Sequence, residues 1–146
     1  TVPTSLSTIA QGAADQVSGR AAQRGVRIEM STAQGEGFST VDPILFEQLM
    51  IELISNAVDA SPENGRVLVT VGGDESAAFL EVSDDGPGIP EKQRDRMFQM
   101  FFTTKAKGTG IGLATVKRIA EAHQATIEVK NRPGSGATFR VTVPRR

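Results

Sequence analysis

Residues 42–62, DPILFEQLMIELISNAVDASP, constrain the fold more than any other stretch of this chain. Asp42 is a good helix N-cap, and Pro43 suits the first helical position, where its missing N–H is not needed. Ser61-Pro62 marks the end, because the residue before a proline is pushed out of helical backbone. At about 100° per residue, Phe46, Leu49, Met50, Leu53, Ile54, Ala57 and Val58 share one side. Gln48, Glu52, Ser55, Asn56 and Asp59 fall within an arc of about 100° on the other. A helix this two-sided must lay its apolar side on something.

The rest of the chain supplies strands to receive it. Residues 6–24 read as another helix, and 26–30 and 38–41 as short strands. Residues 66–72 and 78–83 are β-rich and joined by GDESA, a hairpin signal. Residues 84–90 form a Gly/Pro loop, 91–98 a short helix, 101–110 a loop and 111–123 a helix. Strands follow at 126–130 and 138–143 across an RPGSG turn. Helices that alternate irregularly with hairpins predict α+β: one mixed, mostly antiparallel sheet with helices on one face, a two-layer sandwich. A length of 146 residues suits a single domain, 1–146. The opening TVPTSLSTIA, without an initiator Met, suggests a piece of a longer protein. The lack of cysteine excludes disulfides, thiolate metal sites and a cysteine nucleophile. A formal charge of −1 with no basic stripe argues against direct nucleic-acid binding. No apolar run approaches the ~18 residues that a membrane helix needs.

Four stretches carry candidate chemistry. In the long helix, Asn and Asp are poor mid-helix residues. The stripe Glu52, Asn56, Asp59 is either a plain solvated face or a set of hard oxygen ligands and a base, suited to a Mg2+-bound nucleotide. In SDDGPGIP, Leu80, Val82 and Asp84 point one way along the strand. A carboxylate ending an apolar row should be hydrogen-bonded. An adenine amino group is one suitable donor, and an ordinary turn is the plainer alternative. Gly86 and Gly88 permit close approach of backbone to a flat ligand. In MFQMFFTT, Phe98, Phe101 and Phe102 are either core or pins for a polar lid. In residues 108–112, GTGIG opens a helix whose N–H groups and dipole favour an anion. Lys105 and Lys107 add positive charge beside it, and Leu113, Val116 and Ala120 give the helix a buried face. The pattern is not a P-loop, since no Gly-Lys-Ser/Thr follows.

In this order and spacing the chain resembles the catalytic and ATP-binding domain of sensor histidine kinases, within the GHKL ATPase superfamily. The resemblance covers about residues 5–144. ELISNAVDAS is similar to the N box, DDGPGIP to the G1 box, MFQMFF to the F box and GTGIGL to the G2 box, while GSGATFRVTVP is similar to the last strand. It implies the Bergerat ATP-binding fold and transfer of the ATP γ-phosphoryl group to a histidine on a separate dimerisation domain. By position, Asn56 would hold Mg2+, and Glu52 and Asn56 would be catalytic. Nucleotide contacts would come from Asn56, Asp59, Asp84, Gly86, Gly88, Ile89, Phe98, Thr104 and Lys105. Further contacts would come from Gly108, Thr109, Gly110, Ile111, Gly112 and Leu113.

The departures matter as much. Glu52 stands where histidine kinases usually carry Asn, and resembles the base of the chaperone and mismatch-repair branches or of serine-phosphorylating anti-sigma kinases. It could act on water, a hydroxyl or the acceptor histidine. Asp59 stands where many histidine kinases carry a basic residue. Ala137 replaces the chaperone-type Thr, and Gln124-Ala125 replaces a common Gly-Gly. The sole histidine, His123, lies near a predicted helix end and reads as structural. The chain is therefore expected to bind ATP and Mg2+ without phosphorylating itself. Its expected partners are an acceptor-histidine dimerisation domain in the same full-length chain and a response-regulator receiver domain. Residues 1–8 would be the linker from that preceding helical hairpin. The isolated domain is expected to be monomeric and cytoplasmic, with membrane anchoring of the full-length protein left open. A hydrolytic ATPase switch and a non-catalytic docking module are the competing readings.

Overall fold

The computed structural model describes residues 2–33, 37–86, 110–132 and 136–144. Among them lie β1 (Val2–Ser5), α1 (Leu6–Arg24), β2 (Arg27–Thr32), β3 (Phe38–Val41), α2 (Pro43–Ala60), β4 (Arg66–Gly73), β5 (Ala77–Ser83), α3 (Gly110–Ala122), β6 (Thr126–Arg132) and β7 (Gly136–Pro144). The main sheet has the order β2-β4-β5-β7-β6. Its β2–β4 pair is parallel and the other pairs are antiparallel. The hairpin between β4 and β5 is determined locally. Asp74 Oδ1 accepts from the Ser76 N–H at 2.8 Å, the Ser76 hydroxyl at 2.9 Å and the Ala77 N–H at 3.0 Å. The helix expected over 91–98 and most of the loop over 101–110 lie outside the described residues.

Alternation along the strands makes one face apolar. Val67, Val69 and Val71 of β4 and Ala78, Leu80 and Val82 of β5 are buried, while their neighbours Leu68, Thr70, Phe79 and Glu81 are half-buried. The helices pack on that face. α2 buries Phe46, Leu49, Met50, Leu53, Ile54, Ala57 and Val58, the side expected from its periodicity. α1 buries Leu6, Ile9, Ala10, Ala13, Ala14, Val17 and Ala21, small residues for the most part, which let it lie close to α2. One core runs from Leu6 to Val143. Each large side chain in it contributes about 1.5–3 kcal/mol of transfer free energy. That burial stabilises helices that would be marginal alone in water. The opposite sheet face is mixed, with Thr70 and Glu81 beside Leu68 and Phe79. Across β5 and β7, Glu81 and Arg140 pair at 2.8 Å, and the Arg140 guanidinium lies 4.0 Å over the Phe79 ring.

One expectation needs correction. The single sheet is two sheets, because β3 pairs with β1, from Val2↔Val41 to Ser5↔Phe38, apart from the main sheet. Ser39 and Val41 point inward and are buried, and the Ser39 hydroxyl donates to the Pro144 carbonyl at 2.8 Å, tying the small sheet to the end of β7. Residues 2–8 carry β1 and the first turn of α1, with Ser5 as N-cap. Leu6 is fully buried and its N–H donates to the Gly37 carbonyl at 2.7 Å, which holds the segment down. β2, β6 and β7 also outrun their expected ends, to Thr32, Arg132, Gly136 and Pro144. Pairing with a neighbouring strand overrides the poor β propensity of Asn131, Gly136 and Pro144. Among the described residues no helix is long and apolar enough to cross a membrane.

Candidate functional site

The site begins with the ends of α2, which set how the helix is rolled. Asp42 Oδ1 accepts from the N–H groups of Ile44 at 3.0 Å and Leu45 at 3.1 Å, with Pro43 following it. At the other end the Ser61 hydroxyl donates to the Ala57 carbonyl at 2.9 Å. With the apolar side in the core, Gln48 is exposed, and Glu52, Ser55, Asn56 and Asp59 are half-buried on the opposite side. Asn56 Nδ2 is shielded from solvent altogether.

The second wall is the turn after β5. The Asp84 N–H donates to the Ala137 carbonyl at 3.0 Å. Its Oδ1 accepts from the Gly86 N–H at 2.8 Å and the Ala137 N–H at 3.4 Å. The carboxylate at the end of the Leu80–Val82 row is therefore hydrogen-bonded, as expected, and these donors are backbone amides. They orient the carboxylate at the end of β5. Asp85 turns away: its Oδ2 accepts from the Arg66 N–H at 2.9 Å. Two glycines make the turn possible. A Cβ on Gly86 would collide with the Ala60 carbonyl oxygen, so the turn abuts the last residue of α2. Gly136 has φ +105°, and a Cβ there would collide with the Asp84 carbonyl oxygen. Asp84 is thus held between the end of α2 and the start of β7.

The third part is α3, whose first turn contains Gly110, Ile111, Gly112 and Leu113. It packs through Val116, Ile119 and Ala120 into the core beside α2. His123, just beyond its end, is structural. Its Nε2 accepts from the Asp42 N–H at 3.0 Å, so the ring proton sits on Nδ1 and is donated to the Ile119 carbonyl at 2.8 Å. The ring meets Phe46 edge-on, with centroids 4.8 Å apart. This joins the end of α3 to the start of α2, and so relates the glycine-bearing helix to the helix carrying Glu52 and Asn56.

Asp59 has a partner that the sequence did not suggest. Arg20 of α1 donates from Nε to Oδ1 at 2.9 Å and from Nη2 to Oδ2 at 2.5 Å. Arg24, one turn on, donates to the Val58 and Asp59 carbonyls at 3.3 Å and 3.0 Å. The available signal was slight: two arginines at helical spacing on α1 and an unexplained aspartate on α2.

Gly88, Ile89, Phe98, Thr104, Lys105, Gly108 and Thr109 lie outside the described residues, as do Phe101, Phe102 and Lys107. For Gly110, Ile111, Gly112 and Leu113 the helical backbone alone is described. Among the described residues no group of three or more His, Asp or Glu side chains could hold a metal ion by itself. Glu52 and Asn56 place hard oxygen donors on one helix side, a set that fits Mg2+ shared with phosphate oxygens.

Comparison with known proteins bears on this arrangement. A family model described as histidine kinase-, DNA gyrase B-, and HSP90-like ATPase matches residues 41–146. Sporulation kinase A of Bacillus subtilis (strain 168) is 37% identical over 122 residues, covering 84% of this chain and 20% of that protein. Sensor histidine kinase ZraS of Escherichia coli (strain K12) is 40% identical over 103 residues, covering 70% of this chain and 22% of that protein. The chain thus spans about a fifth of the length of these relatives. Among solved structures, the nucleotide-free catalytic domain of histidine kinase ThkA is similar at a TM-score of 0.88 and 27% identity, covering 99% of this chain and 95% of that one. Full-length ShkA in complex with AMPPNP is similar at 0.87 and 28% identity, covering 98% of this chain and 30% of that one.

Proposed function

The chain belongs to the histidine kinase-, DNA gyrase B- and HSP90-like ATPase family, and on that premise we propose that it is the ATP-binding kinase domain of a two-component sensor histidine kinase. The observation that carries this reading is the contact of Gly86 with Ala60. It sets the Asp84 turn against the end of the helix that bears Glu52 and Asn56. The names of the relatives and the AMPPNP complex of ShkA support it.

In this reading Asp84 accepts from the adenine amino group, with its carboxylate already oriented by Gly86 and Ala137. Asn56 would hold Mg2+ through its side-chain oxygen. The ion, when bound, neutralises and orients the phosphates. The N-terminal turn of α3 offers N–H groups and the positive end of a helix dipole to the same anion. The reaction moves the γ-phosphoryl group of ATP to an imidazole nitrogen of a histidine on a dimerisation domain of the full-length protein, and ADP is the leaving group. Glu52 receives the proton that the imidazole gives up. Catalysis is then positioning and charge stabilisation for in-line transfer. His123 cannot be the acceptor here, since both its ring nitrogens are engaged inside the fold. The phosphohistidine would serve a response-regulator receiver domain.

Glu52 also keeps a second reading alive. A half-buried carboxylate on the Asn56 side suits activation of water or of a hydroxyl, as in an ATPase switch or serine kinase. One experiment separates the readings. ATP is titrated into the chain by calorimetry with Mg2+ and then with EDTA, and the samples are assayed for free phosphate. Mg2+-dependent binding with negligible phosphate release, followed by transfer when an acceptor hairpin is added, is the expected result. Steady phosphate release would favour the switch, and no binding would overturn both.

A further inference from the structure

The side of α2 assigned to the phosphates is acidic. Glu52 and Asp59 are both carboxylates, and Asp59 lies one helical turn beyond Asn56. The Asp59 side chain is only 14% exposed, so water screens its charge poorly. Left alone, it would repel a triphosphate. It is met instead by Arg20, which donates from Nε and Nη2 to the two carboxylate oxygens, a fork-on-fork arrangement. Arg24 grips the carbonyls of Val58 and Asp59 and so holds α1 to the same turn.

We propose that Arg20 is a positioning residue for polyphosphate: by neutralising Asp59 from the neighbouring helix, it makes this side of α2 acceptable to the phosphates of a nucleotide. The proposal rests on the nucleotide reading above. A mere staple between α1 and α2 would look the same in the structure, but the two roles differ in what they do to ligands of different charge. A staple serves every ligand of the site equally. A neutralised carboxylate matters more as the ligand becomes more negative.

The test is a set of dissociation constants for adenosine, ADP and ATP, with Mg2+, on the unaltered chain, R20Q and R20Q/D59N. The expected pattern in R20Q is adenosine affinity unchanged, ADP weakened and ATP weakened most, by about tenfold, a loss typical of one unpaired charge close to another. In R20Q/D59N, where the carboxylate is gone as well, ATP affinity returns to within about threefold of the unaltered chain. Equal weakening of all three ligands, unchanged ATP affinity, or a double variant no better than R20Q would overturn the proposal. Thermal melts establish that each variant is folded. If R20Q does not fold, the double variant decides, and its failure to bind ATP while folded counts against the proposal. Failure of the unaltered chain to bind any of the three ligands would instead overturn the nucleotide reading itself.

Discussion

At the scale of single residues, the site depends on side chains whose chemistry and placement agree. Asn56 is an amide on a helix side that carries two carboxylates, and in the proposed function its neutral oxygen would be a ligand that does not repel phosphate. Asn56→Ala is expected to abolish the Mg2+ dependence of ATP binding and nearly all transfer to a supplied acceptor hairpin. Normal phosphorylation of that hairpin by the variant would refute the role. Glu52→Gln keeps the size and removes the proposed base. Transfer should fall by about 10²–10⁴-fold, the usual range for a lost general base, with ATP affinity little changed. Single-turnover phosphorylation measures the first quantity and calorimetry the second. If affinity falls while the transfer rate holds, Glu52 is a ligand and not a base.

At the scale of elements, the helices are placed by contacts at their ends. α2 starts at Asp42 and is joined there to the end of α3 through His123. His123→Phe would keep a ring against Phe46 and leave the half-buried Asp42 N–H without its acceptor. The expected loss is about 1–3 kcal/mol of stability, the cost of an unmet backbone donor. Denaturant unfolding checks this, and a variant as stable as the parent would show that the joint is held by other contacts. The same logic explains the small sheet. β1 and β3 are short, but Leu6, Ser39 and Val41 are buried around them, so pairing is supported by the core rather than by propensity.

At the scale of the whole molecule, one core joins α1, α2, α3 and the main sheet. Phe46 is fully buried within it and touches His123, so it serves both the core and the joint between α2 and α3. Phe46→Ala should cost about 3–5 kcal/mol, a large part of the stability of a domain this size. Because the core is continuous, the loss should appear as a shift of one unfolding transition. Two separated transitions in a thermal or denaturant scan would contradict it.

What the sequence determined by itself is what local periodicity carries. The apolar side of α2, its capped start at Asp42, the GDESA hairpin and the alternating strands were all legible, because a period of 3.6 or 2 leaves its mark on residues a few positions apart. The polar stripe and the Asp84 loop were legible as site candidates for the same reason. Other features were decided by the tertiary structure alone. Arg20 grips Asp59 across 39 positions, Ala137 holds Asp84 across 53, and His123 meets Asp42 across 81. No window of sequence contains both members of such a pair. The pairing of β1 with β3 was hidden likewise, since an ordinary run such as VPTS becomes a strand only when a partner edge and a core stand beside it. Local chemistry names the groups, and packing of distant segments decides which of them face one another, because burial and hydrogen bonding are satisfied in space and not along the chain.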